Sequence, residues 1–143
     1  MTVKTKAPIW FWVVGVVALL WNGLGVAAYL QQIAMSAADF AALPRVQQDL
    51  LSTLPFWVTA AFAIAVFAGF VASISWLLRK RIAVRLFLLS LLAVIVQFSS
   101  YFIIDGYWEF ISSQGWIMPA LIVLFAIGFL LLSWRAERTG LLR

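Results

Sequence analysis

Apolar residues in this chain form four long runs separated by shorter, more polar segments. Each run is about 19 to 25 residues long, close to the roughly 20 that an α-helix needs to cross a hydrocarbon core. Apart from Arg85, near the start of the third run, none contains Lys, Arg, Asp or Glu. The pattern predicts an all-α membrane protein, a single domain of residues 1–143 built as an antiparallel bundle of four transmembrane helices. The expected spans are 9–33, 55–78, 82–104 and 116–134.

The connection between the first two runs carries helix signals of its own. Ser36 followed by Asp39 resembles a capping box, in which a hydroxyl and a carboxylate three residues later stabilise a helix start. Pro44 lies within a stretch where apolar residues recur every three or four positions. These residues are Leu43, Val46, Leu50 and Leu54. We expect a short amphipathic helix in this first outer loop, acting either as a shield for the helix ends or as a substrate lid.

The composition is typical of a membrane protein and excludes most kinds of catalytic and metal site. It is 66% hydrophobic and 10% charged, whereas soluble domains have about 25% charged residues. The absence of Cys and His excludes disulfides, thiolate zinc sites, cysteine nucleophiles, histidine-ligated haem and Ser-His-Asp triads. We therefore expect no enzyme activity, no cofactor and no metal. The basic residues before the first run suggest a secretory signal as an alternative. The run is, however, longer than the roughly 7–15 apolar residues of a signal peptide.

Nine of the ten basic residues fall on one side of the predicted membrane, and Arg45 is the exception. The nine are Lys4, Lys6, Arg79, Lys80, Arg81, Arg85, Arg135, Arg138 and Arg143. Because cytoplasmic loops retain Lys and Arg, both termini are predicted to be cytoplasmic and the protein to lie in a bacterial inner membrane. The net charge of +5 then reflects topology and anionic lipid rather than nucleic acid, and Arg79, Lys80, Arg81 and Arg85 are the expected anchors.

The positions of the tryptophans agree with this topology. Indole rings collect at the two membrane interfaces. Trp10, Trp12, Trp76 and Trp134 are expected near the inner interface, and Trp57, Trp108 and Trp116 near the outer one. Trp21 is the exception, at mid-membrane.

Two amides within the spans are the first candidates for function. Asn22 and Gln97 lie at similar distances from the cytoplasmic ends of their helices, where an amide–amide hydrogen bond between helices is possible. Alternatively, they line a polar pocket for a small solute. The residues of this candidate pocket are Trp21, Asn22, Tyr29, Gln97, Ser100 and Tyr101.

Two further groups have paired interpretations. Asp105 and Glu109, just beyond the third span, either bind a cation or relay protons, or are hydrated acids of an outer loop. Small residues occupy every fourth position along part of the second span. Such a strip allows close helix packing, within the chain or between copies. The strip consists of Ala61, Ala65, Gly69 and Ser73.

Three stretches resemble a family of small bacterial inner-membrane proteins that are often labelled sugar transporters. They are residues 20–26 (LWNGLGV) with Tyr29, residues 54–57 (LPFW) and residues 77–84 (LLRKRIAV). The resemblance implies a four-helix membrane protein, and sugar transport is the activity that the label suggests. Family members typically have Met and an acidic residue where this chain has Ala27 and Ala28. The absence of that carboxylate argues against ion-coupled transport.

The leading hypothesis from the sequence is a non-enzymatic accessory or assembly subunit that acts through helix packing. Its expected partners are the lipid bilayer and a membrane protein or further copies of the same chain. The alternative is a carrier or binding protein for a small neutral solute, such as a sugar, that works as an oligomer. A membrane enzyme that uses Asp105 and Glu109 is the third hypothesis.

Overall fold

The computed structural model describes residues 5–143, so Lys4 lies outside the described part of the chain. Seven helices occupy these residues: α1 (Ile9–Ile33), α2 (Ala37–Ala42), α3 (Arg45–Thr53), α4 (Phe56–Leu77), α5 (Ile82–Ile103), α6 (Tyr107–Gln114) and α7 (Ile117–Arg138). The helices α1, α4, α5 and α7 are each long and apolar enough to cross a membrane. The all-α prediction is confirmed, and the chain is a multi-pass membrane protein.

The helix bounds agree closely with the predicted spans, with one extension and one addition. Helix α7 continues one turn beyond the predicted residue 134 and ends at Arg138. Helix α6 (Tyr107–Gln114) was not predicted. It lies between Gly106 and Gly115, whose φ angles of 78° and 97° fall in the region that favours glycine.

The hairpin of α4 and α5 forms the centre of the bundle. Helix α1 packs against α4, and α7 packs against α5, so α1 and α7 flank the hairpin. Their closest described ring contact joins Trp21 to Phe125, whose ring centroids are 4.4 Å apart. Outward positions on both flanking helices, such as Leu20 and Leu124, are exposed and apolar, as a surface in contact with lipid requires.

The end of the bundle that holds both chain termini, called here the terminal end, is tightly packed around Trp76. This side chain is 1% exposed and stacks on Phe11 with ring centroids 4.7 Å apart. Its indole N–H donates to the Phe11 carbonyl oxygen over 2.8 Å. The indole of Trp76 therefore faces the neighbouring helices and not lipid headgroups.

The backbone around Arg79 joins both terminal segments to the α4–α5 turn, in what we call the terminal clasp. The Arg79 guanidinium donates to the carbonyl oxygens of Leu141 (2.9 Å) and Thr5 (2.8 Å). Two backbone bonds continue the clasp, from Arg143 N–H to Arg79 O and from Arg81 N–H to Arg143 O. Arg79 adopts a φ of 59°. The clasp brings the three basic regions to one end of the molecule.

The opposite end, called the loop end, carries α2, α3 and α6. The predicted cap is present: Ser36 Oγ accepts from the Asp39 backbone N–H and donates to its carboxylate. The predicted amphipathic helix is α3, Arg45–Thr53. Gln48 joins it to α2 by donating from Nε2 to the carbonyl oxygens of Ala41 (3.2 Å) and of Leu43 just beyond that helix (2.7 Å).

Candidate functional site

A cavity of about 390 Å³ lies between the four long helices, in the half of the bundle toward the loop end. We call it the central cavity. From α1 and α4 it is lined by Trp21, Asn22, Leu24, Gly25, Ala28, Gln32, Phe62, Ala65 and Val66. From α5 and α7 it is lined by Phe87, Ser90, Val94, Gln97, Phe98, Tyr101, Met118, Ile122, Ala126 and Phe129.

The two mid-span amides both line the central cavity, but they do not bond to each other. Asn22 instead donates from Nδ2 to the Ala18 carbonyl oxygen (2.8 Å) and to Ser73 Oγ on α4 (3.3 Å). Within residues 5–143, the Gln97 side chain makes no hydrogen bond to protein. The predicted amide–amide link is therefore absent from the described residues, and the Gln97 amide lines the cavity.

Of the other predicted pocket residues, two line the cavity and two do not. Trp21 and Tyr101 are lining residues. Tyr29 is turned toward α4, with its ring edge-on to Phe62 at 5.5 Å. Ser100 is fully buried and donates to the carbonyl oxygen of Gln97 over 2.5 Å. The predicted group is thus divided between the cavity and helix packing.

Aromatic rings form the deep wall of the central cavity. Trp21 contacts Phe125, Phe125 lies 5.6 Å from Phe129, and Phe129 lies 5.7 Å from Phe87, measured between ring centroids. Phe87 and Phe129 are also nearly fully buried. We call this series the aromatic floor: Trp21, Phe87 and Phe129 line the cavity, and Phe125 lies between the rings of Trp21 and Phe129.

The strip of small residues on α4 contacts helices of the same chain. Ala65 is 4% exposed, and its carbonyl oxygen accepts a hydrogen bond from Ser90 Oγ of α5 over 2.7 Å. Ser73 is fully buried and accepts from Asn22 of α1. A Cβ at Gly69 would lie only 2.0 Å from Asn22 Oδ1. Ala61 is likewise buried, so the strip allows close packing within the chain.

A second space, the cap cleft, lies beneath α2, α3 and α6 and has a volume of about 490 Å³. It adjoins the central cavity, because Ala28 and Gln32 line both. Tyr107 of α6 lies at the junction, with its ring 4.9 Å from that of Tyr101. Burial raises the pKa of the Tyr107 phenol above its ordinary value.

The predicted acidic pair lies away from both spaces. Asp105 and Glu109 are exposed and line neither the central cavity nor the cap cleft. Among the described residues, no group of three or more His, Cys, Asp or Glu side chains is placed to hold a metal ion. At the terminal end, Lys80, Arg81 and Arg85 are exposed, whereas Arg79 forms the clasp.

The central cavity also opens sideways, between α1 and α7. Leu24 on α1 and Met118 on α7 line it, yet they are 68% and 58% exposed. Residues that are both lining and exposed lie at an opening, and here the opening faces the region occupied by lipid. This opening was missed in the sequence, as were Phe62, Phe87 and Ser90, because a hydropathy pattern does not show which face of each helix turns inward. Ser90 alone carried a signal, as a hydroxyl in mid-span.

The fold and the site together define a class: a multi-pass membrane protein with an internal cavity of uncharged lining. Comparison with protein-family models, curated proteins and solved structures finds no match to this chain.

Proposed function

We propose that this protein is a non-enzymatic binding protein or carrier for a small uncharged molecule, held in the central cavity. The observation that carries the proposal is a cavity of about 390 Å³ to which all four long helices contribute. Ligand sites usually occupy about 300–1,000 Å³ and combine apolar walls with a few polar groups. The central cavity has this size and this composition.

The lining residues favour a neutral ligand. None of them is Asp, Glu, Lys or Arg, and an unpaired charge within a membrane protein is costly. Aromatic rings offer flat surfaces, and the Gln97 and Gln32 amides can each donate and accept hydrogen bonds. A molecule with few polar atoms and no net charge satisfies both kinds of surface.

The proposed setting is a bacterial inner membrane with the terminal end in the cytoplasm. Supporting this orientation, the terminal clasp gathers the N-terminal segment, the α4–α5 turn and the C-terminus at one end. These segments carry the basic residues, which cytoplasmic loops retain. The central cavity and the cap cleft then lie in the outer half of the membrane.

A second candidate function is that of an accessory subunit which binds another membrane protein or a second copy of itself. In favour of it, only 11% of the residues in the most apolar stretch of α1 and 17% of those in α7 are buried within the chain, against 50% for α4. Much of the surface of α1 and α7 is therefore open to a partner or to lipid. Co-purification in a mild detergent tests this candidate. Recovery of the isolated 16.0 kDa chain alone would contradict it.

The binding proposal is tested by protecting a single thiol. The chain has no cysteine, so Ala126→Cys places one thiol in the central cavity. Leu124→Cys is the matched control on the same helix, facing lipid at 65% exposure. Both variants are reconstituted in vesicles and labelled with N-ethylmaleimide in the presence of decanol, decane or glucose.

We expect at least one of these uncharged probes to slow labelling of the Ala126→Cys thiol without changing that of Leu124→Cys. Ile122→Cys, also a lining position, serves as a second reporter if Ala126→Cys does not fold. Failure of every probe to slow labelling at both lining positions would contradict the proposed function.

A further inference from the structure

We infer that the ligand of the central cavity is a neutral amphiphile dissolved in the bilayer, with a small oxygen-bearing head, and that it enters sideways between α1 and α7. This inference rests on the proposed function and specifies its ligand class and route. It is carried by the sideways opening, by the number of hydrogen-bonding groups left free in the cavity, and by their position.

The route follows from how the long helices pack. The closely packed pairs are α4 with α5, α1 with α4 and α5 with α7. Helices α1 and α7 are not among these closely packed pairs. The exposed side chains of Leu24 and Met118 lie beside the opening between them. A molecule already dissolved in lipid reaches this opening without crossing a polar layer, whereas a polar solute would have to leave water for hydrocarbon to do so.

The ligand class follows from the hydrogen-bonding groups. Five lining residues have polar side chains, namely Asn22, Gln32, Ser90, Gln97 and Tyr101, and Trp21 of the aromatic floor adds an indole N–H. The Asn22 amide N–H and the Ser90 hydroxyl already donate to protein, so the groups left to bind a ligand are mainly the other three. A sugar has a hydroxyl on most carbons, and each one buried without a partner costs free energy. A head with one or two oxygens matches the groups that remain.

The orientation of the ligand follows from where these groups lie. Gln97, Tyr101 and Gln32 lie toward the loop-end termini of α5 and α1, whereas the aromatic floor lies deeper. An amphiphile bound with its head at Gln97 and its apolar body toward the floor has the same polarity gradient as the surrounding lipid. Binding therefore requires no inversion of the molecule as it passes between α1 and α7.

The Ala126→Cys reporter tests the ligand class with the same three probes. Decanol has one hydroxyl and an apolar chain, decane lacks the hydroxyl, and glucose has no apolar chain. We expect protection by decanol, weaker protection by decane and none by glucose. Gln97→Leu should weaken decanol protection by about 2- to 10-fold, the effect of one hydrogen bond. Gln31 lines the cap cleft but not the central cavity, so the control Gln31→Leu should leave decanol protection unchanged.

The route is tested by narrowing the sideways opening in the same reporter. Leu24→Trp places an indole at the opening, and Leu20→Trp is the control, one turn earlier on α1 and exposed but not a lining residue. We expect decanol to protect the Ala126→Cys thiol several-fold more slowly with Leu24→Trp and at the normal rate with Leu20→Trp.

The outcomes separate the inference from the proposed function. Protection by glucose but not by decanol would keep a binding function and overturn the amphiphile. Decanol protection that Leu24→Trp leaves unchanged would overturn the sideways route and indicate entry through the cap cleft. Absence of protection by all three probes would overturn the proposed function, and the inference with it.

Discussion

Replacing Gly69 by alanine should destabilise the bundle at the contact between α1 and α4. The added methyl group would lie 2.0 Å from Asn22 Oδ1 and 2.8 Å from its Cγ, far inside van der Waals contact. The Asn22 side chain must move, and its hydrogen bonds to Ser73 Oγ and to the Ala18 carbonyl oxygen depend on its present position.

The magnitude combines three effects. A hydrogen bond between membrane helices contributes about 0.6 to 1.7 kcal/mol, and overpacking costs about 1 to 3 kcal/mol. Alanine recovers up to about 1 kcal/mol through its higher helix propensity. We therefore expect Gly69→Ala to lower the free energy of unfolding by about 1 to 3 kcal/mol.

The assay is reversible unfolding in mixed micelles by increasing dodecyl sulfate, followed by circular dichroism, over a double-mutant cycle with Asn22→Ala. Removing the Asn22 amide vacates the space that the new methyl group needs. In that background Gly69→Ala should become nearly neutral, and the coupling energy should reach about 2 kcal/mol. Gly128→Ala is the control: nothing lies within 4 Å of its new methyl group, so stability should rise by up to about 1 kcal/mol.

Equal costs of Gly69→Ala in the presence and absence of the Asn22 side chain would refute the reasoning. The cost would then come from the backbone or from another neighbour, such as Ser90 Oγ at 3.2 Å. A loss of stability with Gly128→Ala would show, in turn, that the helix-propensity term has the wrong sign for this bundle.

Three further predictions concern the terminal end. Gly15→Ala should cost about 3 kcal/mol in the same unfolding assay, since its methyl group would lie 2.5 Å from Leu77 and 2.7 Å from Trp76. Trp76→Phe should cost about 1 to 3 kcal/mol, because it removes the N–H that donates to Phe11; an unchanged midpoint would contradict this. Arg79→Lys keeps the charge but loses the guanidinium fork, so amide hydrogen exchange at the C-terminus should rise about 3- to 10-fold while a C-terminal reporter keeps its topology.

The four long helices could be predicted because the bilayer imposes a length and a polarity that a one-dimensional pattern records. The cap at Ser36 and the amphipathic helix α3 were predictable for a similar reason, since both depend on residues three or four apart. Helix α6 was missed, because an eight-residue helix between two glycines has too few turns to show a period.

The contacts between helices could not be predicted in the same way. Asn22 was paired with Gln97 on depth alone, but depth does not determine rotation, and its partner is Ser73. The preference of indole for membrane interfaces does not determine which side of α4 Trp76 faces. A glycine at position 15 makes room for the ring among the helices. The role of Arg79 depends on residues 62 and 74 positions away, beyond the range of any local pattern.

The distribution of packing along the bundle also favours the loop end as the site of function. At the terminal end, large side chains such as Trp76, Phe11 and Leu142 are almost completely buried, and the clasp joins both chain ends. At the loop end, the same four helices enclose a cavity that the Gln97 amide lines. Filling that cavity with larger apolar residues would stabilise the bundle, since each void forfeits dispersion contacts. A protein that acted only through helix packing would gain by closing the cavity, whereas a binding protein requires it to stay open.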